Sequence, residues 1–131
     1  MRASSVEVGG SLRADEVEAT GKVRVGGRLS TIQGVRADYV EIGRRGRIEG
    51  PVRARRVRVR ELARAEDIWA DEITLEEEAR ARNLYGRRIY IECDCVVTGE
   101  VKYVDELVVE EGARLLSPPE KVEDPSEIGL S

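Results

Sequence analysis

Histidine is absent from the 131 residues of this sequence, and only two residues are cysteine. Because histidine is the commonest general base and a frequent metal ligand, its absence excludes most hydrolase triads and histidine-based zinc sites. Cys93 and Cys95 flank Asp94, but a zinc site needs about four ligands, and the sequence holds no second cysteine pair. A thiol that packs as a small buried side chain is therefore favoured at Cys95 over a reactive or metal-binding one.

Two other short patterns are weak indications of a site. The three consecutive glutamates at 76–78 could supply paired carboxylates for acid–base chemistry, yet consecutive residues at a corner of the chain point in different directions. Gly43, Gly46 and Gly50 have the spacing of a glycine-rich loop but lack the lysine and the Ser or Thr that bind phosphate. We therefore predict a non-enzymatic protein with no catalytic residue, no cofactor and no metal.

The composition restricts the kind of core that can position any side chain. The chain is 40% hydrophobic and only 4% aromatic, with no phenylalanine, so its core must consist of small and branched aliphatic residues. No apolar run approaches the roughly 18 residues of a membrane span. Two cysteines in 131 residues are typical of a reducing compartment, so we expect a cytoplasmic protein. Abundant arginine and glutamate without histidine indicate a thermophilic source.

A repeat of 16 to 18 residues is the strongest structural signal in the chain. Apolar residues separated by one position recur at intervals of 17, 17, 17, 16, 16 and 18. This first set comprises Val6/Val8, Val23/Val25, Val40/Ile42, Val57/Val59, Ile73/Leu75, Ile89/Ile91 and Leu107/Val109. A second set keeps the same intervals and comprises Leu12/Ala14, Leu29/Thr31, Gly46/Ile48, Ala63/Ala65, Ala79/Ala81, Cys95/Val97 and Ala113/Leu115. A third set comprises Val17/Ala19, Val35/Ala37, Val52/Ala54, Ile68/Ala70, Leu84/Gly86 and Val101/Tyr103.

Alternation with a period of two is typical of a strand with one buried side. Three such strands per repeat, each stacked on its counterpart one repeat later, predict an all-β fold. The prediction is a single three-sided parallel β-helix, or β-solenoid, of about seven coils of 16–18 residues over residues 6–116. We call the three stacks of strands the first, second and third face, in the order of the three sets. Glycine pairs such as Gly26 and Gly27 follow the first face, where we expect a corner with positive φ.

The segments outside the repeat differ from it in composition. Residues 1–5 are expected to form a short N-terminal tail. Residues 117–131 hold four acidic residues against one lysine and three of the four prolines, so we expect an acidic C-terminal tail that is flexible or peripherally docked.

The residues that point outward also form columns. On the first face, Glu7, Arg24, Glu41 and Arg58 alternate in sign, which favours the same stacking because opposite charges then lie above each other. The second face carries a stripe of arginines, namely Arg13, Arg47, Arg64, Arg80 and Arg114. Such a stripe could bind nucleic acid, anionic lipid or an acidic partner. The alternative is neutralisation by corner acids such as Glu49, Glu66 and Glu78; we favour it because the chain outside the acidic tail carries almost no net charge, whereas a nucleic-acid binder would show a positive excess.

The stretches VEVGGSLRADEVEATGKVRVGGRLS and YVEIGRRGRIEGPVRARRVRV resemble the bactofilins, a family of polymer-forming cytoskeletal proteins. The resemblance covers roughly residues 5–116 and consists of repeat length and character. It implies a right-handed, three-sided β-helix that polymerises end to end without nucleotide into non-polar filaments, which scaffold cell shape or envelope-associated machinery. Members commonly carry a longer N-terminal tail that contacts membrane, whereas only MRASS precedes the first coil here.

The ends of a solenoid also favour end-to-end polymerisation, because the first and last coils leave strand edges unpaired. The residues expected at these polymer interfaces are Val6, Val8, Leu12, Ala14 and Val17 at one end and Leu107, Val109, Ala113, Leu115 and Leu116 at the other. We therefore predict a homopolymer, or a homodimer if one end is blocked. The tail and charged faces remain for a protein partner or an anionic membrane surface. The alternative function is a capped binding module that uses the arginine stripe.

Overall fold

The computed structural model describes residues 2–130, and parallel β-strands make up most of them. The strands are β1 (Arg2–Val8), β2 (Ser11–Val25), β3 (Arg28–Arg36), β4 (Tyr39–Ile42), β5 (Arg47–Glu49), β6 (Val52–Val59), β7 (Asp67–Leu75), β8 (Arg80–Ala81), β9 (Asn83–Ile91), β10 (Val96–Val97), β11 (Val101–Val109), β12 (Arg114–Leu115) and β13 (Glu120–Lys121). A short 3₁₀ helix follows over Pro125–Ile128. The predicted fold, a parallel β-solenoid of about seven turns, is confirmed.

The first face has the predicted register along its whole length. One inward column runs from Val6 through Val23, Val40, Val57, Ile73 and Ile89 to Leu107. We number the seven coils from these residues. The third face is also in the predicted register, with Val17, Val35, Val52, Ile68, Leu84 and Val101 in one column. Most of these side chains are fully buried and form one continuous core, as the aliphatic composition requires.

The second face departs from the predicted register between coils 2 and 3. Leu29 pairs with Ile48, and not with Gly46 as the repeat suggested. The cause is the corner that precedes this face, which is two residues longer from coil 3 onwards. Two glycines, Gly26 and Gly27, separate Val25 from Arg28 in coil 2, whereas residues 43–46 separate Ile42 from Arg47 in coil 3.

The short and long corners turn the chain with different backbone conformations. Gly27 does not adopt positive φ as we expected; a Cβ there would lie 2.1 Å from the carbonyl oxygen of Gly10, so close backbone approach is what requires glycine. In coils 3 to 7 the third corner residue has positive φ. These residues are Arg45, Leu62, Glu78, Asp94 and Gly112, with φ between 60° and 83°. Each precedes a small residue that faces the core.

The N-terminal tail predicted at residues 1–5 is wrong for the residues that the structure describes. Arg2 and Ala3 pair with Glu18 and Ala19 on the third face, and β1 then continues into the first face. Arg2 also forms an ion pair with Glu18 at 2.9 Å. Residues 2–5 therefore belong to the solenoid, and Met1 lies outside the described residues.

The alternating charges of the first face form a connected network. Glu41 is buried and accepts a hydrogen bond of 3.0 Å from Arg24 of the coil before it. Arg58, from the coil after it, lies 3.8 Å from Glu41 and also pairs with Glu76. Burial alone would raise the pKa of Glu41, but the hydrogen bond and charge of Arg24, together with the charges of Lys22 and Arg58, hold that pKa below its ordinary value.

We predict that Ile73→Ala lowers the free energy of unfolding by about 2–5 kcal/mol, because it opens a cavity among fully buried neighbours. The matched control is Thr74→Ala, the outward-facing residue next to it, which we expect to change stability by less than about 0.5 kcal/mol. Urea unfolding followed by circular dichroism measures both. Equal losses for the two variants would contradict the assignment of inward and outward columns.

We predict that Glu41→Gln destabilises the protein at pH 7 and that this difference shrinks on acidification. Because the pKa of Glu41 is lower in the folded state, its contribution is complete above the ordinary value of 4.5 and is lost as pH falls through the lowered pKa. Thermal unfolding at pH 7 and pH 3 measures the change. Glu7→Gln, an exposed position on the same column, should show a smaller difference at both pH values.

Candidate functional site

The N-terminal end of the solenoid presents unpaired strand edges. Strand β1 pairs only with β2, and the segment 11–14 of β2 pairs only with β3. The backbone donors and acceptors on the other side of both segments have no strand partner among residues 2–130. Val6, Leu12 and Ala14 are partly buried and complete the apolar part of this end, which we call the N-terminal rim.

Two of the residues predicted for this rim lie deeper. Val17 is 1% exposed because its side chain faces the core and because Arg2 and Ala3 add a further strand to the third face, where they pair with the neighbouring Glu18 and Ala19. Val8 is 5% exposed, although its backbone lies on the open edge. The structure thus places Val6, Leu12 and Ala14 at the rim, while Val8 and Val17 are buried in the core beneath it.

The C-terminal end is more apolar and more exposed. The last first-face segment, Leu107–Val109, pairs only with β9, and β12 pairs only with β10 within the described chain. Val109 is 41% exposed and Leu116 is 65% exposed. Together with the partly buried Leu107, Ala113 and Leu115, they form what we call the C-terminal rim. All five residues predicted for this end lie there.

Of the two states predicted for the segment after residue 117, flexible or peripherally docked, the described residues show the docked one. Strand β13 adds a partial further turn to the third face, where Glu120 pairs with Lys102. Val122 and Ile128 are then buried against Val104. The segment continues back along the third face, where Arg53 donates a 3.2 Å hydrogen bond to the carbonyl oxygen of Gly129.

Aromatic residues of the third face form the surface on which this segment lies. Trp69 and Tyr85 stack with ring centroids 5.1 Å apart, and the guanidinium of Arg53 lies 4.8 Å from the Trp69 ring. Burial, then a hydrogen bond to Glu100, raises the pKa of Tyr85 to about 12. Because the segment runs along the side of the solenoid, it leaves the C-terminal rim of the first and second faces uncovered.

The arginine stripe differs from its predicted membership. Arg28, Arg47, Arg64, Arg80 and Arg114 share one outward column, with Val96 between the last two. Arg13 is not in this column, because it pairs with Ser30, which in turn pairs with Glu49. The shift follows from the longer corner of coil 3. This changes which charges are neighbours along the second face.

None of the arginines predicted for the stripe forms an ion pair within 4.0 Å among residues 2–130; in the observed column such a pair is made by Arg28, which was not predicted as a member. Glu49 lies 2.5 Å from Arg28 and accepts a hydrogen bond from Ser30. The hydrogen bonds from Ser30 and Arg28 lower the pKa of Glu49. A carboxylate of Glu66 accepts a hydrogen bond from the backbone of Gly50. None of Arg47, Arg64, Arg80 and Arg114 has a carboxylate within 4.0 Å in the described part of the chain.

The cysteines occupy a corner of coil 6. Cys95 is buried and its thiol lies 3.0 Å from the carbonyl oxygen of Glu76, consistent with the predicted packing role. Burial raises the pKa of Cys95 to about 11, which keeps the thiol protonated at neutral pH. Among the residues described, no group of three or more His, Cys, Asp or Glu side chains is placed to hold a metal ion.

Comparisons with known proteins found no protein-family model, no curated protein and no solved structure that matches this chain. Among residues 2–130 we also find no helix whose length and apolar character would let it cross a bilayer.

Sequence analysis did not decide between a flexible and a docked C-terminal segment, and it did not place the segment on the third face. The available signals were the outward column Arg53, Trp69 and Tyr85 on the third face and the apolar Val122 and Ile128 in an otherwise polar segment. Nothing in the repeat indicated that these two groups meet, because they are separated by tens of residues and belong to different kinds of segment.

We predict that Ile128→Asp releases the C-terminal segment from the third face, because an unpaired carboxylate replaces a buried side chain beside Val104 and Val122. Trp69 is the only tryptophan, so a red shift of its fluorescence reports the exposure. Glu127→Ala, at an exposed neighbouring position, is the control and should leave the emission unchanged. The β-rich circular dichroism should persist in both variants, and an unshifted emission in Ile128→Asp would contradict the docking.

Proposed function

We propose that this protein is a non-enzymatic structural protein that assembles end to end, through its terminal coils, into filaments that require no nucleotide. The observation that carries the proposal is that each end of the solenoid presents open strand edges together with apolar side chains. Unpaired strand edges are ready templates for pairing with another chain. The proposal agrees with the resemblance to the bactofilins.

The chemistry of the rims supports assembly over capping. A cap would place polar side chains or a helix over the last coil, whereas the C-terminal segment pairs only on the third face and turns away along the side. Val109 and Leu116 remain exposed beside the open first and second faces. Stacking another coil there would pair backbone groups and bury these side chains in one step.

The symmetry of the contacts between copies determines whether a filament, a dimer or a monomer results when one rim is blocked. We propose isologous contacts, in which N-terminal rims meet each other and C-terminal rims meet each other. Two different isologous contacts per chain give an open, non-polar filament. Blocking one rim then leaves a dimer held by the other rim. A head-to-tail arrangement uses both rims in every contact, so blocking one rim would leave a monomer.

A capped module that binds nucleic acid or anionic lipid through the arginine column is the second candidate. Its support is that Arg47, Arg64 and Arg80 stack without carboxylate partners within the described chain. Against it, Glu66, Glu78 and Asp94 line the same surface depressions as these arginines. No aromatic residue lies in the column to stack with bases, as single-stranded nucleic acid binding favours.

We predict that the purified protein forms filaments in negative stain without ATP, GTP or metal. Val109→Lys should shorten the assemblies to a discrete dimer, because it places charges on the C-terminal rim and leaves the N-terminal rim intact. Sedimentation velocity measures the change, and circular dichroism checks that the β-fold persists.

The matched control for this prediction is Ile32→Lys. Ile32 is 79% exposed on the side of the solenoid, so the same charge is added to an exposed apolar residue away from the C-terminal rim. It should leave assembly unchanged. A wild-type protein that is monomeric at all concentrations, or filaments unaffected by Val109→Lys, would refute end-to-end assembly through these rims.

A further inference from the structure

The third face ends differently from the other two faces at the C-terminal end. Strand β13 lies on the outer edge of β11, where Glu120 pairs with Lys102 and Lys121 pairs with Tyr103. The N–H of Val122 continues this pairing with a 2.8 Å hydrogen bond to the carbonyl oxygen of Tyr103. The first and second faces of coil 7 have no such outer strand within residues 2–130, so the third face alone is covered at this end.

Strand β13 is a poor template for any further strand. Its second residue, Lys121, is exposed and stands at the position that Tyr103 occupies in the coil before. Pro119 directly precedes the strand and has no backbone N–H to donate. Prolines and charged residues are among the features by which natural sheets protect their edges from another chain. The strand therefore closes the third face instead of preparing it for another coil.

The chain leaves the solenoid directly after this strand. The paired residues of β11 and β13 are 18 positions apart, so the positions that would follow Leu107 and Val109 on the first face hold Pro125 and Glu127. A proline and a charged residue do not continue the buried column. The chain turns there into the 3₁₀ helix, which carries Ile128 onto the third face.

Few contacts hold the docked segment for its length. Val122 and Ile128 are the only buried side chains among residues 117–130, and most of the others are exposed. Beyond β13, Arg53 donates a hydrogen bond to the carbonyl oxygen of Gly129. These contacts must offset the conformational entropy that each ordered residue loses. A segment with so few buried contacts belongs to the part of a structure that opens locally while the rest stays folded.

We propose that residues 117–130, which we call the strap, are an autoinhibitory cover that competes with a second copy of this chain for the C-terminal rim. One strand edge pairs with one strand at a time, and the strap uses the backbone groups of Lys102 and Tyr103 that another coil would need. With the strap docked, a second copy meets two open faces at this end, and with the strap released it meets three. This inference rests on the end-to-end assembly proposed above.

The two rims differ in this respect. Arg2 and Ala3 form the outermost third-face strand at the N-terminal rim, and no other segment of the described chain pairs with their outer edge. Contacts between N-terminal rims are therefore independent of the strap. Contacts between C-terminal rims become tighter when it is released, because the fraction of molecules in the competent state sets the apparent affinity.

Dimers that are held by one rim isolate each contact. Ala14→Lys places a charge on the N-terminal rim and leaves a dimer held by C-terminal rims, whereas Val109→Lys leaves a dimer held by N-terminal rims. Ile128→Asp, which releases the strap, is added to each, and sedimentation equilibrium measures the dimer dissociation constant. We expect this constant to fall about tenfold with Ala14→Lys, as it would if about a third of the molecules release the strap and both copies must do so. We expect no change with Val109→Lys.

Two further variants in the Ala14→Lys background make the result specific to release. Val122→Asp replaces the other buried side chain of the strap and should lower the dissociation constant as Ile128→Asp does. Ser126→Asp adds the same charge at an exposed position of the 3₁₀ helix and should leave the constant unchanged. The fluorescence of Trp69 reports release in each protein, and circular dichroism checks that the β-fold persists.

The outcomes separate the strap from the assembly itself. A dissociation constant that is unchanged or raised while the Trp69 emission shows release would overturn the role of the strap and leave end-to-end assembly standing. An equal fall in both backgrounds would also overturn it, because release would then act elsewhere than on the C-terminal rim. So would a Trp69 emission that shifts in neither release variant, since the segment would not be docked. A protein with Ala14→Lys that is monomeric at every concentration would instead refute the C-terminal contact of the proposed function, and the role of the strap with it.

Discussion

The vertical stacking of parallel strands is the constraint on which the whole structure depends. Each strand forms its backbone hydrogen bonds with the same part of the next coil, one strand spacing away, so strand residues of the inner coils have a counterpart above and below them. Any property of one position is thereby repeated along a column. Apolar positions become a continuous aliphatic core, alternating charges become the network around Glu41, and like charges become the column of Arg47, Arg64 and Arg80 on the second face.

The corners show how the chain adapts to this constraint. The two-glycine corner of coil 2 depends on close backbone approach at Gly27. The four-residue corners of coils 3 to 7 instead hold one residue at positive φ, a conformation that costs a residue such as Leu62 about 1–2 kcal/mol. The residue after the one with positive φ is small and faces the core, as Ala63 does after Leu62. The longer turn also shifts the arginines that follow it into a column of their own.

The terminal coils of a solenoid always have strand edges that no further coil of the same chain can pair. The C-terminal segment resolves this on the third face only, where Glu120 and Lys121 extend the stack and Val122 and Ile128 cover Val104. The first and second faces stay open at both ends among residues 2–130. Val109 and Leu116 are therefore exposed at the C-terminal end, whereas the column of arginines without carboxylate partners runs along one side of the described chain.

Much of this could be predicted from sequence alone, because a period of two within strands and a period near 17 between them is a local pattern of residue types. It determined the solenoid, the number of coils, the first and third columns and all five residues of the C-terminal rim. Tertiary structure alone decided the register of the second face, the burial of Val17 and the position of the C-terminal segment. The register depends on corner length, the burial of Val17 on how far β1 extends, and the position of the segment on contacts between distant residues such as Arg53 and Gly129. A repeating pattern of residue types does not specify any of these.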